Sequence, residues 1–379
     1  MKFLFFSLAK HQTQYFTKLL AQPGMQGRVV EPRALPMPWF GQISRVLRCI
    51  SWRKLIEEKC QERRVKSKYH GVVYRLALRA EMFVTALRCA RILQIESPDA
   101  LVVWNGASRH CQLMLALAPK DTRTFFVENG LLPDTTTLDP KGVNYRNSVP
   151  RDANFYLAYA NRVSITEDVS RPVRLVPRKP RSAGSNPIKL PERFIFIPFQ
   201  DDRDTQVRLF SPWIRNMREL FALGECIAHE TDWVVVFKEH PSSRENYPDL
   251  HQRCNEKLFF ANGNPTQQLI EASSLVITIN STVGIESLLL NKPLLTVGKA
   301  FFNIQGLVTH ADSTEQLLAT LGRFPNWPAN QTLRQAFLHY LANEYCLPGR
   351  WQDATPTHLQ EASRRLLYLA DTFVVGEVS

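Results

Sequence analysis

Apolar runs of four to six residues alternate along this chain with longer stretches of helical spacing. Residues 3–8 form the first run and predict a buried strand. Within residues 72–96, Val73, Leu76, Ala80, Phe83, Val84 and Leu87 recur at three- and four-residue spacing, which predicts a helix. Residues 101–104 and 124–127 are short apolar strands, ending in Asn105-Gly106 and Glu128-Asn129-Gly130. Further strands are expected at 194–197, 233–237, 257–260, 275–279 and 293–297. Helical stretches lie between most of them, for example at 214–229 and 265–272, and 357–374 reads as a terminal helix. Residues 171–191 carry five prolines, several bases and a Gly-Ser step, the composition of an interdomain linker. Strands alternating with helices imply parallel sheets with ligands at the strand C-terminal ends. The expected fold class is therefore α/β, with two Rossmann-like domains facing across a cleft. The expected division is 1–180, 181–350 and a C-terminal helical segment, 351–379.

At 379 residues the chain suits two domains, and 44% hydrophobic with 22% charged residues is a globular composition. The N-terminal apolar run is about half the length that spans a bilayer, and Lys10, His11 and Gln12 interrupt it. Seven dispersed cysteines without a CxxC pair suggest neither a zinc site nor a disulfide framework, and fit a reducing cytoplasm. The net charge of +12 is concentrated between residues 45 and 91. There Trp52, Leu55 and Ile56 interleave with Arg53, Lys54, Lys59, Arg63, Arg64, Lys66 and Lys68. That pattern fits a solvated helix face or attraction to an anionic inner-membrane surface. Nucleic acid is not an expected partner, because no zinc knuckle or aromatic RNP-type strand accompanies the bases.

Four segments carry candidate chemistry. Lys238-Glu239-His240-Pro241 follows a strand, where lysine and histidine can face a phosphate or sugar carboxylate; the plainer reading is a turn. Asn280-Ser281-Thr282-Val283-Gly284-Ile285-Glu286 joins a strand to a helix. Its hydroxyls either cap that helix or, with free N–H groups, hold an anion; Gly284 permits close approach of a ligand or backbone, and Glu286 suits ribose hydroxyls. Gln200-Asp201-Asp202-Arg203-Asp204-Thr205-Gln206 contains a D-x-D tripeptide of the kind that binds manganese elsewhere, or a helix N-cap. In an extended loop Asp202 and Asp204 point the same way, so periodicity does not choose between them. Glu128, at a strand tip, is a candidate proton-transfer group, whereas Asp139-Pro140-Lys141-Gly142 taken alone is a turn signal.

In order, VENGLLPDTTTLDPKGVNYRNSVPRDANFY (127–156), FIPFQDDRDTQV (196–207), VFKEHPSS (236–243) and TINSTVGIESLLLNKPLLTVG (278–298) resemble the bacterial capsule polysaccharide biosynthesis family of β-Kdo transferases. The resemblance covers close to half of the chain; the first 95 residues match much less clearly. It implies a GT-B fold, a CMP-Kdo donor, retention of the β-anomer and no metal or other cofactor. It further implies a lipid or glycan acceptor and other capsule-assembly proteins as partners, at a cytoplasmic site peripheral to the inner membrane. By position, Asp204 is implied as the carboxylate facing the anomeric carbon and Glu128 as the acid/base. Lys238, His240, Pro241, Gln200, Gln206, Asn280, Ser281, Thr282, Gly284 and Glu286 are implied on the donor side. Asn105, Gly130 and Asn144 are implied on the acceptor side. Thr205 stands where relatives often carry serine, which keeps a hydroxyl. A CMP-sialic-acid transferase of the same fold and a non-catalytic glycan- or lipid-binding scaffold are the competing readings.

Overall fold

A computed structural model describes residues 1–65, 68–165, 175, 186–243, 245–327 and 330–372. Most of the expected linker, along with Lys66 and the last residues of the expected terminal helix, falls outside them. The first unit opens with β1 (Lys2–Phe6), α1 (Lys10–Leu20) and β2 (Gln26–Val30), then α2 (Ile43–Cys49), α3 (Trp52–Val65) and α4 (Val72–Glu96). β3 (Ala100–Trp104), α5 (Arg109–Leu117), β4 (Arg123–Asn129) and β5 (Thr135–Asp139) follow. The second unit holds α6 (Ala153–Val163), β6 (Phe194–Pro198), α7 (Thr205–Phe210), α8 (Met217–Glu230), β7 (Val234–Lys238), α9 (Pro248–His251) and β8 (Leu258–Phe260). It continues through α10 (Thr266–Ala272), β9 (Leu275–Thr278), α11 (Val283–Leu289), β10 (Leu294–Thr296), β11 (Thr309–His310), α12 (Thr314–Leu321) and α13 (Gln331–Tyr340). β12 (Leu347–Pro348) and α14 (Pro356–Thr372) then return to the first.

In the first unit the strand order is β12-β5-β4-β3-β1-β2. β2, β1, β3 and β4 run parallel, while β5 and β12 join antiparallel, with Phe126 opposite Asp139 and Leu347 opposite Thr136. Alternation along β1 feeds two core layers. Leu4 and Phe6 pack with Leu78, Met82 and Leu93 of α4, and Phe3 and Phe5 pack with Phe16 of α1 and Leu366 of α14. Both faces are therefore covered, which is why β3 (ALVVW) has no polar position.

The second unit is an all-parallel sheet in the order β11-β10-β9-β6-β7-β8. Ile195, Ile197, Val235 and Phe237 pack there against Leu220 and Phe221 of α8 and Leu317 of α12. The segments following β9, β6 and β7 consequently leave the C-terminal ends of three neighbouring strands.

The units divide the chain differently from the expected boundaries. Residues 149–163 belong to the second unit, because α6 packs on α13 through Tyr156 and Phe337, whose rings lie 5.3 Å apart. Residues 346–372 do not form a separate segment. They complete the first unit, and the Tyr15 hydroxyl meets His358 Nε2 there at 2.9 Å.

Candidate functional site

At the C-terminal ends of β3 and β4 the chain brings Asn105 to Glu128. Asn105 turns left-handed (φ 58°), a conformation that asparagine adopts more readily than most residues. Its backbone N–H donates to Val127 O at 3.0 Å, and its side-chain Nδ2 donates to Glu128 Oε2 at 2.6 Å. The other Glu128 oxygen accepts the Asn129 N–H at 2.9 Å. Asn129 in turn accepts from Trp351 Nε1 (2.8 Å) and Gln352 Nε2 (3.2 Å). Trp351 meets Trp104 edge-on at 4.6 Å and the exposed His11 ring at 5.3 Å. Asn129, Trp351 and His11 thus form a chain of contacts leading away from Glu128, although sequence reasoning did not select them. Trp351 arrives through the β12 return, which leaves no local signal.

Two residues expected on the acceptor side have internal duties. A Cβ on Gly130 would lie 1.8 Å from Thr135 Oγ1, so the β4–β5 hairpin itself requires glycine. Asn144, also left-handed at φ 54°, starts a turn whose carbonyl accepts the Asn147 N–H at 3.1 Å. That loop hangs from buried Asp139, whose carboxylate accepts N–H groups of Lys141, Gly142 and Ser148 at 2.7, 2.9 and 2.7 Å. The turn reading of Asp139-Pro140-Lys141-Gly142 describes it well.

In the second unit the tripeptide after β6 is divided. The Asp204 N–H donates to Asp201 O at 2.8 Å, so the loop turns instead of extending, and Asp202 and Asp204 point apart. Asp202 is buried, accepting from Met217 N–H at 2.7 Å and the Tyr247 hydroxyl at 2.9 Å. Burial raises its pKa against the lowering effect of those bonds. Asp204 is exposed and caps α7, its Oδ1 accepting the Gln206 N–H at 2.9 Å. Although the residue keeps a solvent-facing surface, the protein packed around its carboxylate desolvates it and, with the nearby Asp201 charge, raises its pKa against the lowering effect of the Gln206 bond. Gln200 and Asn280 are buried and bonded to each other, Gln200 Nε2 donating to Asn280 Oδ1 at 3.1 Å. Asn280 Nδ2 also reaches Gln206 O at 3.1 Å. This pair ties the loop after β6 to the loop after β9 rather than presenting amides outward, and Gln206 itself is buried.

The remaining donor-side residues follow β7 and β9. Lys238 Nζ donates to Asn262 O (2.6 Å) and Asn264 O (2.7 Å), and burial lowers its pKa. Two of its three protons therefore hold the loop beyond β8. His240 lies in a turn closed by the Ser243 N–H to His240 O bond at 3.0 Å, with Pro241 half-buried in that turn. Ser242 N–H points at His240 Nδ1 from 3.4 Å, which places the proton of the neutral ring on Nε2. Ser281 Oγ accepts the Val283 N–H at 3.2 Å, and Thr282 O accepts the Glu286 N–H at 3.1 Å in the first turn of α11. Gly284 is buried, and a Cβ there would lie 2.6 Å from the Phe302 ring. The space a side chain would take at Gly284 is thus filled by this core ring.

Comparison with known proteins places this geometry in a family. A family model described as "Capsule polysaccharide biosynthesis protein" matches residues 99–176 and 183–351, which include all four motif segments. Protein FixF of Sinorhizobium fredii is 36% identical over 281 residues, covering 74% of this chain and 67% of that protein. Capsule polysaccharide export protein KpsS of Escherichia coli is 30% identical over 130 residues, covering 31% of this chain and 33% of that protein. The solved structure of the Thermosulfurimonas dismutans KpsC beta Kdo 2,7 transferase superposes with a TM-score of 0.52 at 15% identity, over 97% of this chain and 99% of that one. The two-sheet α/β architecture is accordingly of the GT-B type, as the resemblance implied. The chain belongs to the capsule polysaccharide biosynthesis protein family.

Proposed function

We propose that the protein is a retaining, metal-independent glycosyltransferase that moves Kdo from CMP-Kdo to a lipid or glycan acceptor during assembly of a surface polysaccharide. It would act on the cytoplasmic side of the inner membrane beside other capsule-assembly proteins. The carrying observation is the division between two aspartates: Asp202 is consumed by Met217 and Tyr247, while Asp204 stays exposed after β6. With Asp202 turned inward, the tripeptide does not offer a cation two carboxylates together.

In this reading an Asp204 oxygen attacks the anomeric carbon, and the CMP phosphate leaves with the bonding electron pair. The acceptor hydroxyl then gives its proton to Glu128 as its oxygen attacks the same carbon and releases Asp204. Two displacements retain the anomeric configuration. The donor carries a phosphodiester and a sugar carboxylate. His240 Nε2–H, Ser281 and Thr282 are the proposed partners of these anions, with Glu286 toward the ribose. Asn105 positions Glu128, and the aromatic group around Trp351 offers an apolar surface for an acceptor sugar.

Product analysis by mass and NMR tests the reading, with CMP-Kdo or CMP-sialic acid offered to lipid and Kdo-terminated acceptors. The expected outcome is β-linked Kdo transfer from CMP-Kdo, unchanged by EDTA. Turnover of CMP-sialic acid alone would reassign the donor. Activity abolished by EDTA and restored by manganese would overturn metal independence, and glycan binding without donor turnover would identify a scaffold.

A further inference from the structure

We infer that one face of the first unit, made by residues 37–40 and the outer side of α2 to α4, docks into the interfacial layer of an anionic lipid bilayer. The inference concerns attachment and stands apart from the donor assignment. Among the described residues, fifteen large hydrophobic side chains are exposed, and ten of them lie between Met37 and Ile95. Met37 is 83% exposed, Phe40 67% and Val73 72%. Such concentration on one stretch differs from the scattered apolar exposure normal to soluble proteins.

The stretch forms a surface. α4 has 25 residues and runs about 37 Å. Leu78, Met82, Ala86 and Leu93 fill its buried side, whereas Val73, Leu76, Ala80 and Val84 are exposed at helical spacing along another. The core accounts for the first set and leaves the second without cover. Towards the C-terminal half of α4, Arg88 donates to Leu35 O (2.6 Å) and Pro36 O (3.1 Å). The Arg91 guanidinium lies 5.1 Å over the Trp39 ring. These contacts lay the 35–40 segment onto α4 and carry the apolar stripe on to Trp39 and Phe40.

Charge selects the occupant. Residues 45–91 hold thirteen Lys and Arg against four Asp and Glu, nine of the twelve net positive charges of the chain. Three of the acids are already paired: Glu57 with Arg75 (3.2 Å), Glu62 with Lys59 (2.6 Å) and Glu81 with Arg109 (2.8 Å). Arg48, Arg53, Lys54, Arg64 and Arg79 remain exposed. A second copy of this surface would meet like charge. Anionic headgroups match the bases, and the boundary below them accepts Trp, Phe and Met side chains. The contact lies in the membrane plane, since among the described residues no helix is long and apolar enough to cross a bilayer. The surface also precedes residue 99, where the family match begins.

The test is co-sedimentation of the full chain with vesicles of phosphatidylcholine alone or mixed equally with phosphatidylglycerol. Binding should be about tenfold or more stronger to the mixed vesicles. The triple variant Met37→Ser, Trp39→Ser, Phe40→Ser should melt like the parent and lose about tenfold in partitioning at fixed salt. Arg53→Gln with Lys54→Gln and Arg79→Gln should lose binding chiefly at low salt. Equal binding to both vesicles, or none, would overturn the inference. So would mixed-vesicle binding that survives the triple serine variant, which would mark a purely electrostatic contact. A concentration-dependent dimer abolished by that variant would assign the face to a second copy instead.

Discussion

Asn105 donates from Nδ2 to Glu128 Oε2 across 2.6 Å, linking the C-terminal tips of two adjacent parallel strands. A hydrogen bond to a charged group contributes about 1.5–3 kcal/mol. Asn105→Gly keeps a residue suited to φ 58° and removes only the amide. Turnover should fall roughly ten- to hundredfold if that energy orients the carboxylate during proton transfer, while CMP affinity stays within twofold. Unaltered turnover would free Glu128 from dependence on Asn105.

The two aspartates of the tripeptide should behave oppositely. Asp204→Asn should fold, bind CMP and lose turnover by orders of magnitude, and wild-type protein given CMP-Kdo alone should carry a Kdo adduct on the peptide containing Asp204. Asp202→Asn should remain active, because Asn can still accept from Met217 N–H and bond Tyr247. Asp202→Ala strands both partners and should cost about 2–4 kcal/mol. An adduct on Asp201, Asp202 or Glu128, or an active Asp204→Asn, would reverse the assignment.

The pH profile carries a sign. A nucleophilic carboxylate works ionised, and desolvation holds the Asp204 pKa above its ordinary value. The acid limb of kcat/KM should therefore sit above the reference aspartate pKa of about 3.9. Asp202 also has a raised folded-state pKa, so its contribution to stability is largest below the unfolded value and lost as pH rises through the folded one. Removing its charge in Asp202→Asn should therefore flatten the pH dependence of melting between those two values.

CMP should raise the melting temperature of the protein by mass action. His240 offers Nε2–H from a turn fixed through Ser242, so His240→Ala should abolish most of that shift. Gly284→Ala should instead lower the melting temperature without ligand, since its Cβ would press on Phe302. A full CMP shift in His240→Ala would remove this residue from the donor site.

Five of the six strands of the second unit were readable because each is an apolar run, as in Val234–Lys238 before His240, whereas β11, only Thr309–His310, carries no such run. The helix expected at 72–96 appears as Val72–Glu96, its spacing being uninterrupted. Other features depend on distant partners. β12 is two residues long and forms because Leu347 meets Thr136, so neither the discontinuous first unit nor Trp351 beside Asn129 had a local pattern. The side chains of Asp202 and Asp204 diverge because one backbone bond, from Asp204 N–H to Asp201 O, replaces extension by a turn. At Gly130 and Gly284 the atoms that an added Cβ would meet belong to Thr135 and Phe302, neighbours that only the fold supplies.

The return of β12 and α14 to the first sheet sets an order of events during synthesis. The ribosome releases the chain N-terminus first, and domains fold as their parts emerge. Here the sheet that begins at Lys2 waits for its last strand and for the helix that covers Phe16 and Leu19 until every element of the second unit has emerged. The half encoded later can close earlier. Until then the side of α1 that carries Phe16 and Leu19 lacks the helix that covers it.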